Sequence, residues 1–285
     1  MNFPLILLIL TVVTGIFWVL ERRSFLPARK ARADEAVRRF EADNREAIDR
    51  GEKAVIDARN DLYAREIRQP WWLEYTAGLF PVIAIVFFVR SFLFEPFRIP
   101  SGSMLPTLHV GDFILVNKYE YGIRLPVTNW KIIPLGSPQR GDVVVFKDPN
   151  NWLNEEQSSA PGGGYLIKRL IGLPGDVVEC KGAGQPVTIN GVAINETSYI
   201  RPGVDPSAFP FSVTVTEGRV FVMGDNRANS ADSRYHQDDG DRGLVPISDV
   251  VGVGIAKYWP LDRLGAIDDH HEVFKDVPDA SGSNS

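Results

Sequence analysis

"WWLEYTAGLFPVIAIVFFVRSFLFEPFRIPSGSMLPTL", residues 71 to 108, changes character part-way along. Residues 75 to 89 carry no charge. Trp71 and Trp72 suit a membrane–water interface, and Arg90 can extend its guanidinium outward, so 71–94 is long enough to cross a bilayer. From Phe97 the helical apolar period stops. Two serines one residue apart, Ser101 and Ser103, follow with only Arg98 charged nearby. A serine in such a loop can cap a helix or attack a carbonyl, and attack requires a base.

Upstream, residues 1–20, "MNFPLILLILTVVTGIFWVL", contain no charged side chain and can span a core of about 30 Å at about 1.5 Å per residue. A cleaved leader would show basic residues before the apolar run and a small-x-small exit. Here Arg22, Arg23, Arg29, Lys30 and Arg32 come after it, and the run ends Val19-Leu20. The basic cluster predicts that residues 21–70 are cytoplasmic and that everything after residue 94 lies on the outer face. The 21–70 segment carries 13 Lys/Arg and 11 Asp/Glu. Ile48, Val55 and Leu62 recur every seven residues, and both ends must return to one membrane face. This predicts a helical hairpin broken at Gly51.

Downstream, "DFILVNKY", "GDVVVFKD", "YLIKRLIG", "GDVVEC", "VTINGVAI", "RVFVMGD" and "VVGVGIAKYW" are β-rich runs separated by Gly, Pro, Asp and Asn. Asn190-Gly191 marks a two-residue hairpin. The predicted fold is therefore two N-terminal transmembrane helices plus a mainly antiparallel all-β outer domain over 95–264. Residues 181–218 are expected to form a smaller β insertion, residues 158–164 ("SSAPGGG") a simple insertion, and 265–285 a disordered tail. A net charge of −5 gives no support for nucleic-acid binding, and the single cysteine, Cys180, excludes an intrachain disulfide.

Candidate bases for a serine are few. His109 is tied to its own strand, His236 sits in a polar loop, and His270 and His271 lie near the tail; nothing in their placement supports a Ser-His-Asp triad. Lys168 is flanked by Leu166, Ile167, Leu170 and Ile171. An extended strand would give Lys168 an apolar face, and burial there would lower its pKa toward that of a base. A lysine extending its ammonium to solvent from an amphipathic strand satisfies the same pattern. Asp238, Asp239 and Asp241 in "DDGDRG" have no cation-loop spacing and read as a solvated loop.

In this order, "IPSGSMLPTL", "GDFILVNKYEYGI", "RGDVVVFKDP", "YLIKRLIGLPGD" and "MGDNRANSADSR" resemble the type I signal peptidases, or leader peptidases, of bacteria. The resemblance extends over about residues 70–264. It implies a membrane-bound serine endopeptidase with Ser103 as nucleophile and Lys168 as general base. Ser101 then matches an oxyanion donor, Ser230 a residue that orients the lysine, and Asp232 with Arg234 and Asp225 with Arg169 structural ion pairs. Ala228 stands where close relatives carry aspartate. The implied substrate strand lies between Phe97–Pro100 and Tyr165–Ile167, with Leu166 in that segment and Ile99, Met104, Leu108 and Ile167 as apolar walls. Shallow pockets admit Ala-x-Ala sites. The implied partners are secretory preproteins, membrane lipid and a neighbouring export translocon, at the bacterial inner membrane with the catalytic domain on the periplasmic face. No cofactor, metal or nucleic acid is implied. A self-cleaving Ser-Lys repressor would lack spans. An inactive membrane-anchored β domain that binds exported proteins is the alternative.

Overall fold

The computed structural model describes residues 3–124, 131–133, 135–149, 152–153 and 164–280, which divide into two compact units, 1–91 and 92–285. Residues 158–163 of the expected insertion lie outside the described residues.

In the first unit, α1 (Phe3–Leu20) does not stop at residue 20. It runs through a π-helical turn (Glu21–Phe25) into α2 (Leu26–Asp43). The whole stretch Pro4–Asp43 is one helix of 40 residues. The sequence reading ended it at the first charges, but a change of polarity ends an apolar stripe and not a helix. "ERRSFLPARKARADEAV" has no glycine, and its one proline, Pro27, stands at the start of α2, where a missing N–H costs least. Beyond α3 (Arg45–Asp49) the chain reverses at Gly51, whose φ of 69° favours glycine, and returns as α4 (Lys53–Ile67), which packs on α2. The hairpin expected at Gly51 is present. Next come α5 (Trp71–Gly78) and α6 (Phe80–Phe88), packed against α1. Phe17 meets Trp72 edge-on, Trp18 meets Phe80, and a Cβ on Gly15 would stand 2.9 Å from the Phe80 ring. By length and composition, Pro4–Asp43 and Trp71–Leu93 could each cross a membrane.

The second unit is mainly β, with short 3-10 turns at Ile247–Asp249, Leu261–Arg263 and His271–Phe274. Its strands are β1 (Phe94–Arg98), β2 (Phe113–Asn117), β3 (Ile123–Arg124), β4 (Lys131–Ile133), β5 (Val143–Lys147) and β6 (Tyr165–Gly172). They continue as β7 (Val177–Cys180), β8 (Val187–Ile189), β9 (Val192–Ala193), β10 (Phe211–Thr214) and β11 (Arg219–Met223), then β12 (Val245–Pro246), β13 (Val250–Trp259) and β14 (Gly265–Ala266). The main sheet has eight strands in the order β1-β2-β13-β5-β6-β11-β12, with β14 on β13. Every pairing is antiparallel. The sheet curls: Phe97 on β1 and Tyr165 on β6 have three strands between them in the order, yet their rings lie 5.4 Å apart.

A second sheet, β10-β7-β8-β9, forms the smaller β element. It begins at Val177, not 181, because "VVEC" pairs with β8 and β10 and not with the main sheet. Asn190 and Gly191 both take positive φ (52° and 81°) with Ile189 opposite Val192, the geometry that an Asn-Gly hairpin favours. Residues 265–280 are not a disordered tail. Gly265–Ala266 pairs with β13, and Ile267, Phe274 and Val277 are buried in the core. Three apolar side chains at irregular spacing join two core clusters, a pattern that no strand or helix period reveals.

Candidate active site

Strand β6 carries the centre of the site. β5 pairs with it from Tyr165 to Arg169, setting Val144 opposite Lys168, whereas β11 joins only at Arg169, with Met223 opposite. The other backbone edge of Tyr165–Lys168 is therefore open among the described residues. Leu166 and Leu170, on either side of Lys168 along the strand, are buried in one apolar cluster. Lys168 itself is 3% exposed. Burial lowers its pKa from 10.5 to about 8, against the opposing fields of Asp232 and Asp225. At pH 7.4 about a fifth of such a group is neutral, against about 0.1% for an ordinary lysine. The sequence pattern left burial and solvent extension both open; the structure has burial.

The serines come from the loop after β1. Ile99 N–H donates to Asp112 O at 2.8 Å and Gly111 N–H to Ile99 O at 2.9 Å, closing the loop at its base. Met104 and Leu108 are fully buried with Ile99 and Ile167 in one cluster, which Phe97 flanks, so the loop is fixed by its apolar side chains. Lys168 Nζ lies 2.8 Å from Ser103 Oγ and donates also to Ile167 O at 3.1 Å. Ser101 is exposed, and its Oγ reaches Ser103 Oγ at 3.4 Å. Pro100 is exposed between Ile99 and Ser101.

The segment after β11 closes the other side. Arg169 holds Asp225 through two bonds, Nε to Oδ1 at 2.9 Å and Nη2 to Oδ2 at 2.8 Å. Arg234 and Asp232 form a second fully buried pair at 2.8 Å. Burial alone would raise the Asp232 pKa, but the bonds from Arg234 and Gly224 N–H hold it below the usual range. Ser230 Oγ is buried with no hydrogen-bond partner among the described residues. Ala228 is exposed.

Sequence reasoning missed three residues here. Asn226 donates its backbone N–H to Ser103 O at 3.0 Å and its side-chain Nδ2 to Gly102 O at 2.8 Å, so it grips the serine loop twice. Thr107 Oγ1 donates to Asp225, linking that loop to the Arg169 pair. Gly224 leaves no room for a methyl, because a Cβ there would stand 2.2 Å from Ser230 Oγ and 2.5 Å from Ser103 O. The only signal was that Gly224 and Asn226 lie within "MGDNR"; bonds to backbone atoms leave no trace in residue type.

Three of the four histidines are engaged elsewhere. His236 stacks on Trp152 and bonds Asp239 at 3.0 Å, His270 bonds Glu272, and His271 meets Asp142 at 3.0 Å. Among the described residues none hydrogen-bonds Ser103. Asp241 is paired with Arg219. Asp142, Asp269 and His271 lie close enough to hold an ion, but Asp142 is already bonded by Tyr121, Gln139 N–H and His271.

A family model described as "Signal peptidase, peptidase S26" matches residues 72–259, which include both serines, Lys168 and the Gly224–Arg234 segment. The chain belongs to that family. It is 37% identical to signal peptidase I of Pseudomonas aeruginosa over 96% of this chain and 98% of the relative. It is 33% identical to that of Haemophilus influenzae over 92% and 87%. A crystal structure of a signal peptidase I from Enterococcus faecalis V583 superposes with a TM-score of 0.30 at 32% identity, covering 42% of this chain and 97% of that one. Membership of the family makes the chain a serine endopeptidase, a hydrolase that needs a nucleophilic serine and a base for it.

Proposed function

We propose that this protein removes signal peptides from exported preproteins after small-x-small sites, with Ser103 as nucleophile and Lys168 as general base. The observation that carries this reading is the 2.8 Å contact between a buried lysine of pKa about 8 and a serine hydroxyl. Neutral Lys168 Nζ takes the Ser103 Oγ proton as Oγ attacks the scissile carbonyl carbon. The resulting oxyanion meets Ser103 N–H and the Ser101 hydroxyl, donors of a kind whose loss costs about 10² to 10³ in rate. The lysine proton passes to the leaving amine, and an ester remains on Ser103. Lys168 then takes a proton from water, which hydrolyses the ester.

The substrate strand adds to the open edge of Tyr165–Ile167, opposite Phe97–Pro100. Leu166 and Ile167, with Ile99, Met104 and Leu108, supply apolar packing beneath small P1 and P3 side chains. Ser230 Oγ, which has no partner in the free protein, bonds Lys168 when substrate is bound. The two apolar helices anchor the chain in the bacterial inner membrane, with the β domain on the periplasmic face beside the export translocon.

Purified full-length protein is tested on a preprotein with an Ala-x-Ala site beside Ser103→Ala, Lys168→Ala and Ser101→Ala. Cutting after the second Ala by wild type, none by the first two variants and a partial loss in the third is the expected result. Wild-type rates in either dyad variant would sink the mechanism. A wild type that binds but never cuts would favour the inactive binding domain.

A further inference from the structure

We propose that a half-open cleft between the start of α2 and the start of α5 binds the phosphate of an anionic phospholipid, with Arg32 as the principal cation. This rests on the reading that the two apolar helices cross a membrane. The cleft has a volume of about 170 Å³ and is lined by Phe25, Arg29, Arg32, Pro70 and Trp72 among others. Pockets that enclose a whole ligand run from about 300 to 1,000 Å³, so this smaller space suits a phosphate group and not an entire lipid.

Its position is where both apolar stretches end, since α1 finishes at Leu20 and α5 begins at Trp71. Aromatic side chains cluster at this level: Trp71 is 74% exposed, Trp72 42% and Phe25 37%. Aromatic rings left open to solvent at such a level suit the glycerol and upper acyl region of a lipid.

The charges favour an anion. Arg29 is 6% exposed and held in place by Glu21 and by Ile67 O, so it forms a fixed, locally balanced wall. Arg32, three residues on, is exposed and forms no ion pair or hydrogen bond among the described residues. Among the described residues Arg22, which lies over the Trp18 ring, has no carboxylate partner, and Arg23, Lys30 and Arg68 have none either. From residue 21 to 33 the only acid is Glu21. Farther along the hairpin, by contrast, Arg38 and Arg39 pair with Glu35, Arg50 with Glu52 and Arg59 with Glu41. A cavity at the end of two apolar helices, with an unmatched cation at its mouth and exposed aromatic rings beside it, fits a lipid phosphate better than a soluble anion.

Native mass spectrometry of the full-length protein, titrated with phosphatidylglycerol or phosphatidylcholine, reads this site. Phosphatidylglycerol is expected to bind more tightly, and Arg32→Gln to weaken it by about fivefold, the effect of one basic residue at an anionic surface. Arg38→Gln should leave binding unchanged, and millimolar inorganic phosphate should not displace the lipid. Cleavage of a soluble peptide by Arg32→Gln should match wild type, which shows that the variant folds. Equal binding of the two lipids, no effect of Arg32→Gln, or displacement by inorganic phosphate would each overturn the proposal. Flotation with phosphatidylcholine vesicles after an alkaline wash separates the two readings. A chain that floats but shows no dependence on Arg32 loses only the lipid site, whereas one that does not float loses the membrane reading and the lipid site together.

Discussion

Lys168 and Arg169 are neighbours on one strand and both are buried, yet their surroundings do opposite things. Arg169 faces Asp225 through two bonds and also donates to Gly141 O, Asp268 O and Asp269 O. Burial alone would lower its pKa, but Asp225 outweighs that and raises it. Lys168 faces a hydroxyl and one carbonyl, and among the described residues no carboxylate touches it. Its pKa falls to about 8. Burial sets a cost for both cations; what each touches decides whether it holds its proton firmly or loosely.

Lys168→Met should break this contrast with the largest effect. Peptide cleavage is expected to fall by at least about 10⁴. Stability should rise at pH 7 by up to about 3 kcal/mol, because the wild-type pKa is about 8 folded and about 10.5 unfolded. The sign follows from proton counts. Below pH 8 the folded chain carries the full penalty of a buried ammonium. Between pH 8 and 10.5 the unfolded chain binds more protons, so wild-type stability rises and the advantage of Met disappears. Thermal unfolding at pH 7 and at pH 10 checks this, and a destabilised Met variant at pH 7 contradicts it.

Asp225→Asn tests the other cation. Arg169 would keep its burial and lose its counter-charge, at a cost of about 3 to 5 kcal/mol in denaturant unfolding. Asp225 also raises the Lys168 pKa, so the acid limb of kcat/KM should move to lower pH in the protein that folds. An unshifted limb would mean that the lysine does not feel that carboxylate.

Ser230→Ala is the mildest change and sharpens the account of the lysine. The hydroxyl is buried and unpaired, so its loss strands no partner, and stability should hold within about 1 kcal/mol. The expected fall is about tenfold in kcat, the effect of one hydrogen bond to the base. Unchanged kcat would remove Ser230 from the reaction.

Much of this was legible because the strands are β-rich runs bounded by Gly, Pro, Asp and Asn, the Asn190-Gly191 turn declares itself, and the serine and lysine segments carry recognisable motifs. The parts that were not legible share a cause. Asn226 acts on carbonyls of the serine loop, and bonds to backbone leave no pattern in the partner's sequence. Ile267, Phe274 and Val277 fill holes made by other elements, so their own spacing has no period. The long helix passes its polarity boundary at Glu21 unbroken, because hydropathy records the surroundings of a helix and not its hydrogen bonds. Lys168 remained ambiguous for a further reason: burial of one side chain depends on the loop from Ile99 to Leu108, some sixty residues before it.

The carbonyls of Asp268 and Asp269 that cap Arg169 lie 99 and 100 residues beyond it. A ribosome adding about 5 to 20 residues per second takes on the order of 5 to 20 seconds to deliver them after Arg169 has been made. For that interval the Arg169 guanidinium of a nascent chain lacks two of the three carbonyls it bonds in the finished fold, so the surroundings of this buried charge are completed only after β14 has been made.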